Sequence, residues 1–265
     1  MSPIGAAVLA GLLGLLFGSF ANVVIHRVPR RQSVVRPASR CPACGAPVAP
    51  RDNVPVLGWL LLRGRCRSCR APVSPSYPAV ELAMALLWGL VAYRLWSDGL
   101  AWAVPAYLAV AFVCVVLTVI DATARLLPNR ITYPAFPAVA LLLLGASLAM
   151  HDLGRMQRGL LAALVTTVLF LLLFLVYPGG MGFGDVKFVP TLGLALGWLS
   201  WSVLAVGIFA AFLLGGVIGV VAMVVLRLGR KSLLPFGPWL ATGALLAVLA
   251  GAQIASWYGN ALLRA

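Results

Sequence analysis

Eight stretches of apolar sequence, near 3–25, 79–96, 101–120, 132–150, 159–177, 188–200, 203–226 and 238–258, constrain this chain more than any other feature. A bilayer core about 30 Å thick needs roughly 20 residues of helix to cross it. Most of the stretches reach that length, and 188–200 is the short one. They lack the alternating polar pattern of a barrel, so helices are the way to satisfy their backbone in lipid. With 62% hydrophobic and only 10% charged residues, a soluble globule is excluded. The expected fold is an all-α polytopic membrane protein of about eight transmembrane helices with one cytoplasmic zinc-binding loop. Its expected parts are a first transmembrane helix over 1–25, a loop over 26–78 and a membrane-embedded domain over 79–265.

The opening segment resembles a secretion signal in hydrophobicity, but it has no charged n-region, and the charge follows it. It reads as a retained anchor with its N-terminus outside. The formal charge of +14 is uneven: residues 26–77 carry ten arginines and one acid, Asp52. A basic loop beside a hydrophobic span is first a positive-inside signal, so this loop belongs in the cytoplasm. Alternation then puts Asp121, Arg125, Arg130, Asp185, Lys187, Arg227, Arg230 and Lys231 inside. Asp98 and the His151–Arg158 connection fall outside, and Arg155 and Arg158 run against the rule. Nucleic-acid binding is not expected, since Trp59 is the one aromatic residue between the two cysteine pairs.

Those pairs, Cys41-Pro42-Ala43-Cys44 and Cys66-Arg67-Ser68-Cys69, are knuckle-like and separated by 21 residues. Two thiolates at this spacing can converge on one tetrahedral ion, and a second pair completes four sulfur ligands. A reducing compartment disfavours permanent disulfides, so structural Zn2+ on Cys41, Cys44, Cys66 and Cys69 is expected ahead of redox chemistry. Four thiolates leave no open position for a reactive water. The metal would supply folding energy to a loop whose apolar residues are few. Cys114, within a span, reads as packing.

The chain has six acids, and two of them sit at span edges. Asp121 closes the third span, followed by Pro128 and Asn129. Asp185 lies in Gly182-Phe183-Gly184-Asp185-Val186-Lys187, after Pro178-Gly179-Gly180. An acid at a span centre costs about 2.5–3.5 kcal/mol on insertion scales. Capping or snorkelling explains one such acid, but two on the same membrane face invite a chemical explanation. Two carboxylates sharing a site resist joint ionisation and can keep one proton between them. The ionised member can take a proton from attacking water while the protonated member polarises a peptide carbonyl. Gly182 and Gly184 permit close approach or unusual dihedrals, and Lys187 is a candidate to hold negative charge nearby.

An ordered set of motifs carries a family resemblance over nearly the whole chain. It runs from Gly18-Ser19-Phe20-Ala21-Asn22-Val23-Val24 and Arg27-Val28-Pro29 through both cysteine pairs, Asp52-Asn53-Val54-Pro55 and Tyr77-Pro78-Ala79-Val80-Glu81. Asp121 with Pro128-Asn129, the Gly182–Lys187 segment and Pro235-Phe236-Gly237-Pro238 complete it. The sequence resembles the bacterial type IV prepilin peptidases, bifunctional leader peptidases and N-methyltransferases. It departs mildly, with Leu127 before Pro128 and Trp239 where phenylalanine is more usual. The resemblance implies Asp121 and Asp185 as catalytic residues and the four cysteines as zinc ligands. It further implies that the basic leader of prepilins or pseudopilins is cut after glycine at the cytoplasmic face of the inner membrane. The new terminus would then be methylated from S-adenosyl-L-methionine.

For methyl transfer no Rossmann signature is present. Glu81 is a candidate to orient a cationic amine or the sulfonium, with Asn22 and Arg27 shaping the same mouth. Two other readings are a cleavage-only GxGD protease and, further off, a small-solute transporter with both acids in its conduction route. Nothing in the residues sets an oligomeric state. Trp96, Trp102, Trp198, Trp201 and Trp257 near span ends read as interfacial anchors.

Overall fold

The computed structural model describes residues 1–176, 181–225 and 235–262, with residues 261 and 262 by backbone alone. Pro178-Gly179-Gly180 and the topology residues Arg227, Arg230 and Lys231 lie outside the described residues. The chain divides into two compact units, Met1–Ala101 and Trp102–Ala265.

The first unit is a helical pair with a loop between its members. Helix α1, Pro3–Arg27, starts where the Ser2 hydroxyl accepts the Gly5 N–H at 3.1 Å. The short α2, Leu57–Leu61, lies within the loop, and α3, Ser76–Ser97, returns beside α1. Small residues allow this close approach. A Cβ on Gly14 would stand 2.8 Å from the Ala85 Cα, and one on Gly18 would stand 2.6 Å from the Glu81 Cα.

The second unit is built around α7, Phe183–Leu199. Helices α4 (Val104–Ala124), α5 (Asn129–Ala149), α6 (Leu153–Val176), α8 (Trp201–Val225) and α9 (Gly237–Leu262) all pack on it. Among the described residues, seven of the expected stretches are helices long and apolar enough to cross a bilayer. The stretch expected over 188–200 is the inner part of α7, which begins five residues earlier and so contains Asp185. At 1.5 Å per residue its 17 residues reach about 25 Å. Protein rather than lipid covers most of it: Phe188, Val189, Leu192, Leu194, Ala195, Leu196 and Trp198 are all buried.

The C-terminal end of α7 is tied to its neighbours. Tyr107 on α4 donates to the Ala195 carbonyl at 2.6 Å, and the Trp198 indole donates to Ser147 on α5 at 2.8 Å. Trp198 is therefore a core residue and not the interfacial anchor expected from its position, because its N–H has a buried hydroxyl to reach. The Arg158 guanidinium donates to the carbonyls of Gly197, Trp198 and Leu199 at 2.8, 2.7 and 3.0 Å.

That geometry corrects a second expectation. Helix α6 begins at Leu153, so Arg155 and Arg158 lie in its first two turns and not in a connection. Arg155 pairs with Asp152 at 3.0 Å and stands 5.1 Å from the Trp198 ring centroid. Arg158 meets the negative end of the α7 dipole and its unsatisfied carbonyls. Both arginines that break the positive-inside pattern have structural work, which outweighs the topological preference.

Candidate active site

The last turn of α4 carries Asp121, and the first turn of α7 carries Asp185; both are buried, at 6% and 4% exposure. Three contacts gather the surrounding chain ends. Leu127, just before α5, packs against Gly184, where a Cβ would meet its side chain at 3.0 Å. The same Leu127 side chain lies 3.4 Å from the place a Cβ would take on Gly237, at the start of α9. Lys187 on α7 donates to the Asn129 side-chain oxygen at 2.9 Å. The C-terminal end of α4 thus meets the N-terminal ends of α5, α7 and α9 around the two acids.

Each carboxylate has a backbone partner. Asp185 accepts the Gly182 N–H at 3.2 Å, and as an acid in a first helical turn it also meets the positive end of the α7 dipole. Asp121 has the opposite problem, since it sits at the negative end of α4. The Gly237 N–H compensates, donating to the Asp121 Oδ2 at 3.1 Å from the first residue of α9. An orphan donor at a helix start is satisfied by the acid, and the acid gains the dipole of a second helix.

Gly237, in Pro235-Phe236-Gly237-Pro238, joins the candidate site through a contact that its sequence does not announce. The reason for glycine is contact, because a Cβ there would stand 2.6 Å from the Asp121 Oδ2. Close approach also explains Gly184, and neither Gly182, with φ −76°, nor Gly184 uses the left-handed region. Lys187 is turned to Asn129 and stands 4.8 Å from the Phe183 ring centroid and 5.6 Å from that of Tyr133. Among the described residues it forms no ion pair with either aspartate.

The loop of the first unit brings all four cysteines together. Their sulfurs lie within 4.8 Å of one another, and Cys41 and Cys69 are 3.8 Å apart. A tetrahedral ion with metal–sulfur bonds of about 2.3 Å sets its sulfurs roughly 3.8 Å apart, so the donor set fits. The two halves are built alike. Arg40 pairs with Pro47 and Arg65 with Pro72 as isolated bridges. The Cys41 N–H donates to Ala46, and the Cys66 N–H to Ala71, at 2.9 and 2.8 Å. Gly45 and Arg70 take the same place in each turn with positive φ, 71° and 61°. The matching spelling, Arg-Cys-x-x-Cys-x-Ala-Pro at 40–47 and 65–72, was the available sequence signal for this duplication.

Backbone N–H groups of Cys44 and Ala43, directed at the Cys41 sulfur, pull its thiol down to about 6. Cys69 also accepts a backbone N–H, from Ala71, yet it is pushed up to about 11 by the Cys44, Cys66 and Cys41 sulfurs. Four sulfurs this close cannot all carry negative charge unless a cation lies among them. The four-cysteine cluster can hold a metal ion. Asp52 braces it by a two-pronged bridge to Arg67, with Arg67 Nε donating at 2.8 Å, and the guanidinium holds the Asp52 carboxyl below its ordinary range.

Glu81, Asn22 and Arg27 all have partners within the first unit. The Glu81 carboxylate accepts the Val56 N–H at 2.7 Å, and Ser19 also reaches it. Asn22 donates to the Tyr77 carbonyl at 3.0 Å, and Arg27 donates to the Ser33 carbonyl at 3.0 Å. These bonds tie the loop to α1 and α3.

Comparison with known proteins agrees with both units. The family model described as Bacterial Peptidase A24 N-terminal domain matches residues 12–95, and that described as Type IV leader peptidase family matches 108–220. A prepilin leader peptidase/N-methyltransferase of Aeromonas salmonicida (strain A449) is 34% identical, covering 95% of this chain and 93% of its own length. The protein of the same name from Stutzerimonas stutzeri is 34% identical over 97% of this chain and 95% of its own. That from Bacillus subtilis (strain 168) is 32% identical over 93% and 95%. No solved structure matches the chain. The paired buried acids, the four-cysteine loop and full-length similarity together place this chain in the family of prepilin leader peptidase/N-methyltransferases.

Proposed function

We propose that this chain removes the basic leader from type IV prepilins or pseudopilins with Asp121 and Asp185 as its catalytic pair, and then methylates the new amino terminus. One observation carries the reading. Two buried carboxylates 64 residues apart in sequence (121 to 185) flank the same Leu127–Gly237 contact at one end of the second unit, each held by a backbone N–H. Two acids this close favour a singly protonated pair. The ionised carboxylate takes a proton from the attacking water as the new C–O bond forms. The protonated carboxyl donates to the carbonyl oxygen, and a proton then passes to the departing amine as the C–N bond breaks.

The proposed setting is the bacterial inner membrane, with residues 26–78 and the catalytic pair at its cytoplasmic face and 79–265 forming the membrane-embedded peptidase part. The substrate's apolar stem lies among the spans and its leader approaches the acids, so binding of the stem orients the scissile bond. Gly184 lets α7 start close to Leu127, Gly182 gives its N–H to Asp185, and Lys187 positions the α5 and α7 ends through Asn129. Cys41, Cys44, Cys66 and Cys69 would hold Zn2+, which with four thiolates is structural and keeps the loop folded.

S-adenosyl-L-methionine enters through the relatives' shared name, and it would supply an electrophilic methyl group. Glu81 is the proposed acidic group for that step, but it, Asn22 and Arg27 already spend hydrogen bonds on the loop. Their first effect is to shape the loop. The test is mass spectrometry of a candidate precursor incubated with purified protein and methyl donor. A product shortened by its leader and carrying one added methyl group is expected. An intact precursor would refute the reading, and a cut but unmethylated product would leave only the peptidase half.

A further inference from the structure

The loop carries an apolar face that its metal cluster does not use. On α2, Leu57 is 58% exposed, Leu60 55% and Leu61 80%. Positions i, i+3 and i+4 share one face of a helix. The opposite face is spent inward. The Trp59 indole donates to the Val73 carbonyl at 3.0 Å, and its ring lies against Gly64, where a Cβ would meet Cζ2 at 2.8 Å. A loop short of apolar residues thus half-buries one tryptophan and leaves three leucines outside.

The hydrogen bond from Val56 fixes the depth of that face. Val56 immediately precedes α2 and holds φ 61°, a left-handed value that a β-branched residue rarely adopts. Its N–H is bound by Glu81, which lies five residues into α3. At 1.5 Å per residue Glu81 is about 7–8 Å along a helix whose 22 residues reach about 33 Å. A hydrocarbon core of about 30 Å covers nearly all of such a span. With α3 centred on that core, Glu81 stands roughly 6 Å inside the headgroup boundary, and α2 begins one hydrogen bond away from it. The surrounding charge suits the same partner, since ten arginines against a single acid over 26–77 complement anionic headgroups.

From this we infer that Leu57, Leu60 and Leu61 form a foot that inserts into the lipid leaflet on the loop's side, with Glu81 and the strained Val56 setting its depth. The occupant of this face is the bilayer interface itself. The four-cysteine loop then rests on the membrane surface, as interfacial amphipathic segments do.

The experiment uses the full-length, zinc-loaded protein in nanodiscs containing phosphatidylglycerol, with a benzophenone amino acid replacing Leu61, or Leu57 in parallel, and Leu86 as the reference. Leu86 is 65% exposed on α3, within a span. Metal content equal to that of the unsubstituted protein certifies the loop's fold at either position. Irradiation is expected to give lipid adducts at 57 and 61 within about threefold of Leu86, as for side chains about 5–10 Å into the headgroup–acyl boundary. Adducts only with a second copy or with an added pilin precursor, or no lipid adduct at either position while Leu86 reacts, would overturn the inference.

Discussion

Asp121 and Asp185 differ in how the fold supports them, the first by the start of α9 and the second by the residue that caps its own helix. Asparagine keeps the shape and the acceptor oxygen that holds Gly182 or Gly237, but it cannot share a proton as a carboxylate does. Asp121→Asn and Asp185→Asn should each insert and fold normally while cleavage falls by about 10² to 10⁴-fold, the range for a general acid or base. Gly237→Ala tests the support itself. Its added carbon would stand 2.6 Å from the Asp121 Oδ2, so the acid or the start of α9 must move. Cleavage should drop by roughly 10²-fold, as for a displacement of about 1 Å at a reacting group, while the thermal transition and metal content stay near those of the parent. An unchanged rate would remove Gly237 from the site. The two acids were legible from the sequence because carboxylates are rare and costly near lipid. Gly237 was not, because its value lies in an N–H 116 residues away from its acceptor, and a glycine has no chemistry of its own to announce that contact.

At the scale of elements, α7 and the cysteine loop each depend on a few identifiable bonds. Arg158→Met removes the guanidinium from three carbonyls at the C-terminal end of α7. Losing charge-assisted bonds to partly buried acceptors should cost about 1–3 kcal/mol, read as a lower unfolding midpoint in detergent. Arg158→Lys should recover only part of it, because a single ammonium cannot reproduce the guanidinium fork. In the loop, Arg70 occupies with φ 61° the place that Gly45 fills in the matching half. Arg70→Gly should therefore tighten metal binding against a chelator by up to about 1 kcal/mol, the strain relieved by glycine in the left-handed region. Serine at all four cysteines should abolish bound zinc and open residues 28–75 to proteolysis, with part of the cleavage activity retained. Equal zinc in that variant and the parent would defeat the metal assignment. Span positions could be read early because helix rise and bilayer thickness fix their length. Their ends could not: Arg155 and Arg158 read as loop charges, and only the unsatisfied carbonyls at the end of α7 show what Arg158 does on α6. Trp198 looked interfacial for the same reason, since its partner Ser147 lies on another helix.

At the scale of the whole molecule, the two units divide the proposed labour. One is a helix pair with a metal-dependent loop, and the other is a bundle centred on a shielded helix that presents an acid at its first turn. The claim on which the account turns is that Asp121 and Asp185 act as one chemical unit. The direct measurement is the initial rate of leader removal from one prepilin, followed by mass spectrometry, for the parent, each single asparagine variant and the double variant, all reconstituted in the same lipid. Groups that work as a unit are far from additive, so each single variant should fall nearly to the rate of the double. A purified Asp185→Asn protein that cleaves at the parental rate, or single losses that multiply to give the double, would contradict the account.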